Sequence, residues 1–504
     1  MLGTLITTDY AAGVVAFAAV LALLYKKSSL TNGKNALPFP PGPPARWFWS
    51  NALPSVNIAR ELTNLVREYG PVVSLRQGSQ VIIVIGSVEA ATTIMEIEGR
   101  SLVDRPPSIA AGEMLSNGMR ILMARSGERF RRLRKAIHTH LQPKAAEAYK
   151  DMQHDNARKF ILDILDDPQS HQKHAAGFSA SVILRVTYGK STPTAYTDPE
   201  VVRIYKVLHH FDLVMRPGAY LVDRVPLLRY LPGYGKQLTE WHNEELSLYR
   251  HQLLRVQSEI EQNKAGPSFT RTLLENTEDH QLAMDEMGYL AGTLFGAGAD
   301  TTFAGITTAI MAAACHPLAQ AKLHEELDMV VGSDRAPTFE DSSLLPQLRA
   351  FLLEALRWRP VIPIGFPHRA TQDIIWQGHC IPEGAMVYGC HWAICRDPIA
   401  FPDPEKFDPQ RWLDSEGRLK EDMKSFTFGF GRRVCPGRHL AENSMYIALA
   451  LIFWSFRFDQ RPDAPINTKA SDSVVSHIAP FEIDVIPRIE VERLREMMAD
   501  ESMY

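Results

Sequence analysis

The sequence predicts a mainly helical α+β protein with one small β-sheet domain, on three observations. Apolar residues recur at helical spacing around 142–166, 237–262, 285–315, 317–331, 346–358 and 437–453. The segment Val72 to Ser87 reads instead as a hairpin, two β-rich runs split by a Gly-Ser turn, and shorter β-like pieces recur near 373–390. From Arg46 to Tyr504 neither a low-complexity break nor an internal repeat interrupts the chain, so that region is expected to fold as one unit.

Composition narrows the function classes. At 504 residues and 45% hydrophobic, the chain has ample material for a large core. The net charge of -4, with no basic tail or block, predicts no nucleic-acid binding. Cys315, Cys380, Cys390, Cys395 and Cys435 are odd in number, widely spaced and contain no CxxC pair. That argues against a disulfide framework or a zinc ribbon, and for a reducing compartment.

The N-terminus predicts an anchor. Tyr10 to Tyr25 carries no charge, and as a helix it spans roughly 24 Å, slightly short of a bilayer core. Lys26 and Lys27 follow the apolar run, the reverse of a cleaved signal peptide, and place what comes after in the cytosol. The expected organisation is a lumenal 1–9, a transmembrane helix 10–25, a Pro-rich linker 26–45 and a cytosolic domain 46–504. The linker's "LPFPPGPP" forbids helix and favours a stiff extended segment.

Three motifs carry chemistry. In "FTFGFGRRVCPGRHLAEN", Cys435 follows a glycine-punctuated stretch and precedes Pro436 and an apolar helix. A helix N-terminus beside the sulfur is expected to favour a thiolate. Gly429, Gly431 and Gly437 would let backbone approach a flat, bulky group, and Arg433 suits an anion on it. The residues alone leave open an axial haem ligand, an inert buried cysteine and a catalytic thiol. In "LFGAGADTTFAGITTAIM", Asp300, Thr301 and Thr302 interrupt an apolar helix, costly unless they have partners or a role. Thr301 can hydrogen-bond a backbone carbonyl, and Asp300 could instead be a helix N-cap. In "FLLEALRWRP", Glu354 and Arg357 share one helix face amid large apolar neighbours, so the pair needs further partners.

These motifs resemble the cytochrome P450 family. Phe428, Gly431, Arg433, Cys435 and Gly437 fill its Phe-x-x-Gly-x-Arg-x-Cys-x-Gly signature. The resemblance makes Cys435 the proximal ligand of the haem iron, Arg433 a propionate partner and Phe428 a shield for the sulfur. "AGADTT" resembles the segment crossing the distal haem face, with Asp300 relaying protons and Thr301 holding water. Glu354 and Arg357 resemble the family's Glu-x-x-Arg pair, completed by Arg411 in "FDPQRW", a structural set; Gln410 stands where glutamate is common. "GERFRRLRKAIH" resembles the helix whose Trp-x-x-x-Arg meets a propionate, with Phe130 in place of tryptophan and Arg134 retained, and His368 stands at another propionate position.

What the resemblance implies is the cytochrome P450 fold, with haem b between distal and proximal helices. The expected activity is insertion of one oxygen atom of O2 into a lipophilic molecule, by hydroxylation or epoxidation. Electrons come from NADPH through a separate reductase, with cytochrome b5 as a further donor. The style of the motifs is that of fungal microsomal members, acting on secondary metabolites such as terpenoids or on xenobiotics, at the endoplasmic reticulum membrane. The alternatives are a non-oxygenating isomerase or dehydratase on the same fold and a non-catalytic haem binder. By the same analogy Leu294, Phe295, Ala297 and Val361 to Phe366 wall the pocket, and Pro106 to Met119 closes over it. The apolar, proline-bounded Pro217 to Gly235 is either a membrane-dipping segment or a packed loop.

Overall fold

The computed structural model describes residues 37–44, 51, 54, 56–192, 194–423, 425–468 and 473–499. The expected lumenal stretch, the apolar anchor and the first part of the linker lie outside them. No single helix among the described residues is long and apolar enough to cross a membrane.

The main helices are α1 (Ile58–Tyr69), α2 (Glu128–Leu141), α3 (Lys150–Asp166), α4 (His171–Tyr188), α5 (Pro199–Met215), α6 (Lys236–Glu261), α7 (Met284–Cys315), α8 (Pro317–Val330), α9 (Pro346–Trp358), α10 (Arg438–Ser455) and α11 (Val491–Ala499). Proline opens α5, α8 and α9, where its missing N–H costs nothing. The helix expected over 142–166 is divided into Pro143–Glu147 and α3. α4 was not legible because it is buried on nearly every side and therefore carries no amphipathic stripe.

α7 is the central axis, buried along most of its length and packed by α4, α6, α9 and α10. Its glycines explain the close approach. A Cβ on Gly292 would overlap the Tyr249 ring of α6, and one on Gly298 would press on Ile183 of α4. The helix runs through them unbroken.

The strands are β1 (Val72–Gln77), β2 (Gln80–Ile85), β3 (His368–Arg369), β4 (Ile374–Trp376), β5 (His379–Ile381), β6 (Met386–Gly389), β7 (Phe456–Gln460) and β8 (Ile483–Pro487). The hairpin β1–β2 joins β6 and β3 in one sheet of order β1-β2-β6-β3, β2 and β6 running parallel. β2 is apolar from Val81 to Ile85 because both faces are covered there. Ile83 and Ile85 pack with Ile94 and Val387, while Ile82 and Val84 pack with Ile58, Leu62 and Trp392. The proline-rich stretch bridges two sheets: Ser74 N–H of β1 donates to the Pro41 carbonyl (2.9 Å), and Cys380 N–H of β5, in the β4–β5 pair, donates to that of Pro38 (2.8 Å). Gly42 sits so close that a Cβ would overlap the Ser74 carbonyl oxygen.

Candidate active site

A cavity of about 570 Å³ is bounded on one side by the middle of α7 and on the other by the segment entering α10. Cys435 is exposed to it. The loop that delivers the cysteine turns at Gly429 (φ 82°) and Gly431 (φ 49°), left-handed positions that favour glycine. Cys435 N–H then donates to the Phe428 carbonyl (2.8 Å). Gly431 does not line the cavity; it is pressed against the Met95 carbonyl and Gly99, so its small size serves backbone packing. Phe428 and Gly437 do line it.

The sulfur's electrostatics differ from the expected helix-end effect. α10 begins at Arg438, beyond the cysteine, and burial pushes the thiol pKa up despite the Gly437 N–H and the Arg134 charge. Although open to the cavity, Cys435 lies deep among protein atoms, and desolvation outweighs the local dipoles. A thiol held this way ionises when a metal takes its proton's place.

Around the same cavity stand Arg105, Arg134, Arg433 and His368. Arg433 donates to the carbonyls of Val103 and Ala124 (both 2.7 Å), and its guanidinium stacks 3.5 Å from the Phe130 ring centroid. Phenylalanine in place of tryptophan thus supplies a π face for the arginine rather than an N–H donor. Arg134 donates to the Val434 carbonyl (2.6 Å). Arg105, which the sequence reading missed, donates to the carbonyls of Leu122, Phe366 and Pro367. His368, on β3, holds Nδ1 2.7 Å from the Leu102 carbonyl. Burial and neighbouring positive charge push Arg105 down to about 9, while burial and Arg105 push His368 down to about 3. Burial carries Arg433 to about 10, with Asp104 opposing and Arg134 assisting. Such crowded, desolvated cations fit a ligand that brings its own anionic edge. With a cavity-facing thiol, the donor set fits haem: sulfur for iron, arginines for propionates.

Opposite the cysteine, α7 presents Asp300 and Thr301 to the cavity. Asp300 sits in mid-helix and is no N-cap. It is buried, and its Oδ1 lies 3.2 Å from Nε2 of His477, a partner that sequence reasoning did not find. Thr301 donates from Oγ1 to the Ala297 carbonyl (2.7 Å) while the helix stays intact. Leu294, Ala297, Val361, Ile362 and Phe366 line the cavity as expected; Phe295 instead packs edge-on against Tyr188. Arg105, Arg120, Ile121 and Leu122 reach the cavity, and the segment between 106 and 119 does not. Within it, Ile109–Leu115 packs on Phe211, Val214 and Leu238.

Away from the cavity, Glu354 and Arg357 are fully buried, joined by two bonds of 2.7 and 2.8 Å. Arg411, Trp412 and the Asp408 N–H complete the carboxylate (3.2, 2.9 and 2.8 Å), and Arg357 also donates to the carbonyls of Cys395 and Pro404. The Gln410 amide meets Gln347 instead (2.7 Å).

Comparison with known proteins matches residues 40–485 to the family Cytochrome P450. Cytochrome P450 monooxygenase 64 of Postia placenta is 46% identical over 480 residues, 95% of this chain and 97% of that protein. Cytochrome P450 monooxygenase 113 of the same fungus is 46% identical over 491 residues, covering 97% and 99%. Cytochrome P450 monooxygenase claR of Ampulloclitocybe clavipes is 31% identical over 523 residues, covering 98% and 94%. Since the match spans both the sheet domain and the helical body, and takes in the cysteine loop and the acid–alcohol helix, the chain belongs to the cytochrome P450 family as a haem-thiolate monooxygenase.

Proposed function

We propose that this monooxygenase hydroxylates or epoxidises a lipophilic small molecule, a terpenoid-like secondary metabolite or an aromatic or steroid-like xenobiotic. It uses haem b and draws electrons from NADPH through a separate reductase, with cytochrome b5 as an auxiliary donor. The observation that carries this reading is an apolar cavity wall, Leu294, Ala297, Val361, Ile362 and Phe366, meeting the acid–alcohol pair of α7.

Haem, when bound, supplies the oxygen-activating chemistry, and the protein supplies orientation, proton control and dryness. Cys435 would ligate the iron, and Arg105, Arg134, Arg433 and His368 would hold the propionates. The apolar wall excludes water and presses the substrate toward α7. Asp300 would pass protons through its carboxyl oxygen toward the Thr301 side of the cavity. The Thr301 hydroxyl, bonded to Ala297 O, can turn that bond toward a water beside it.

The protein is further proposed to sit at the endoplasmic reticulum membrane. Tyr10 to Tyr25 supplies the apolar length. Leu221, Leu227, Tyr230 and Leu231 supply an exposed apolar cluster beside the Ile109–Leu115 segment. Asp223 and Arg229 tie that cluster to Ile109 and Glu113 (2.7 and 2.6 Å).

The test is a panel of lipophilic compounds in microsomes holding the full chain and a reductase, with products identified by mass. Oxygenated products that require NADPH and O2 are expected. Turnover of hydroperoxides with no need for NADPH would instead establish the isomerase or dehydratase alternative.

A further inference from the structure

Asp300 is a buried carboxylate in an apolar stretch of α7, an arrangement that is costly without a partner. Among the described residues its hydrogen-bond partner is His477, Nε2 to Oδ1 at 3.2 Å. His477 arrives from a loop remote in sequence, and that loop is fixed. Val474 N–H donates to Asp212 Oδ1 on α5 (2.6 Å) and Ser476 N–H to the Val361 carbonyl (2.8 Å). The imidazole stacks on Phe303, one helical turn beyond Asp300, with centroids 5.8 Å apart. The ring also lines the cavity and is partly exposed. It is therefore a clamped, ionisable group touching the acid on one side and accessible on another.

We propose that His477 is a positioning residue that holds the Asp300 carboxylate and restores its proton in each catalytic cycle. The inference rests on the monooxygenase role of Asp300 and Thr301. In the step, the N–H bond at His477 Nε2 breaks and an O–H bond forms at Asp300 Oδ1. Imidazolium and carboxylate become neutral imidazole and neutral acid. A solvent proton restores the imidazolium, and the acid's proton leaves in the water molecule that the monooxygenase reaction already makes. No electron moves in this exchange.

The surrounding charges suit the role. Burial disfavours the imidazolium, but the hydrogen bond and charge of Asp300, with the charge of Asp212, raise its pKa above the ordinary value. Asp212 is itself paired with Arg216 (2.9 Å). Among the described residues the Tyr205 phenol on α5 also faces Asp300, and it is kept protonated by burial and by the Asp300 charge. A raised histidine pKa has a definite sign. The protonated pair is complete at low pH, and proton supply fails as pH climbs through the raised value.

Two measurements on full-length holoenzyme test this. The first is deuterium exchange at histidine C2, read by mass spectrometry against pH. The His477 midpoint is expected above about 6.5, and Asp300→Asn should lower it by roughly one unit or more. A wild-type midpoint at or below the ordinary value, or one that Asp300→Asn leaves unmoved, overturns the proposal. The second is peroxide released per NADPH consumed, with reductase and no added substrate, between about pH 6 and pH 9. Wild type should release more peroxide as pH crosses the midpoint. His477→Gln should start severalfold higher at the acidic end and show no inflection; an inflection matching wild type overturns the idea. The reduced, CO-bound spectrum of the same samples reports separately on the haem-thiolate reading. If His477→Gln fails to bind haem, the exchange midpoints of wild type and Asp300→Asn decide the question.

Discussion

Cys435→Ala removes the thiol that faces the cavity beside the Arg134 charge. The reduced, CO-bound spectrum should lose its red-shifted thiolate band, and NADPH-dependent oxygenation should cease; a retained band would mean that another group ligates the iron. Thr301→Ala removes only a hydroxyl bonded to its own helix. Haem binding and the spectrum should persist while peroxide per NADPH rises, and unchanged coupling would refute the proton role. At this scale the sequence was informative where function needs fixed spacing along one strand of chain. The cysteine loop compresses its turn glycines and sulfur into ten residues, so the pattern survives without the fold. Arg105 and His477 were not legible, because the segment after Asp104, which only bridges to β3, and the 473–478 loop reach the cavity through tertiary packing. Neither has a local pattern to distinguish it from any loop arginine or histidine.

Among elements, α9 depends on Glu354 as a junction. Its carboxylate gathers Arg357, Arg411, Trp412 and the Asp408 N–H, tying α9 to the segment before the cysteine loop. Glu354→Ala would leave two buried guanidiniums without their anion, a loss of about 3–5 kcal/mol. The expected product is protein expressed largely without haem, measured by absorbance per mole of chain; normal holoenzyme would refute the structural role. Element prediction succeeded for α6, α7, α8 and α9, whose apolar spacing or flanking prolines mark them. It failed for α4, where burial on every side erases the pattern on which periodicity depends. Glycine lowers helix propensity, and α7 carries several. In the structure they are contact points, because neighbouring helices occupy the space a side chain would need.

For the whole molecule, the exposed apolar residues of 221–231 lie on the segment bonded to Ile109 and Glu113. In full-length protein reconstituted into lipid nanodiscs, the amides of 217–235 should exchange hydrogen more slowly than in detergent. Equal exchange in the two settings would remove this segment from the membrane contact. The tether has a quantitative consequence as well. The proline strap is already bonded to the two sheets at Pro38 and Pro41. With Tyr10 to Tyr25 in a bilayer, as proposed, residues 26–37 are all the chain that lies between that helix and the strap. Fully extended, that length reaches roughly 40 Å. On that proposal the catalytic body would be leashed, with its proline strap held within that reach of the lipid. A hydrophobic substrate dissolved in the membrane then meets an enzyme kept close to it, and the choice of which molecule enters begins before the cavity is reached.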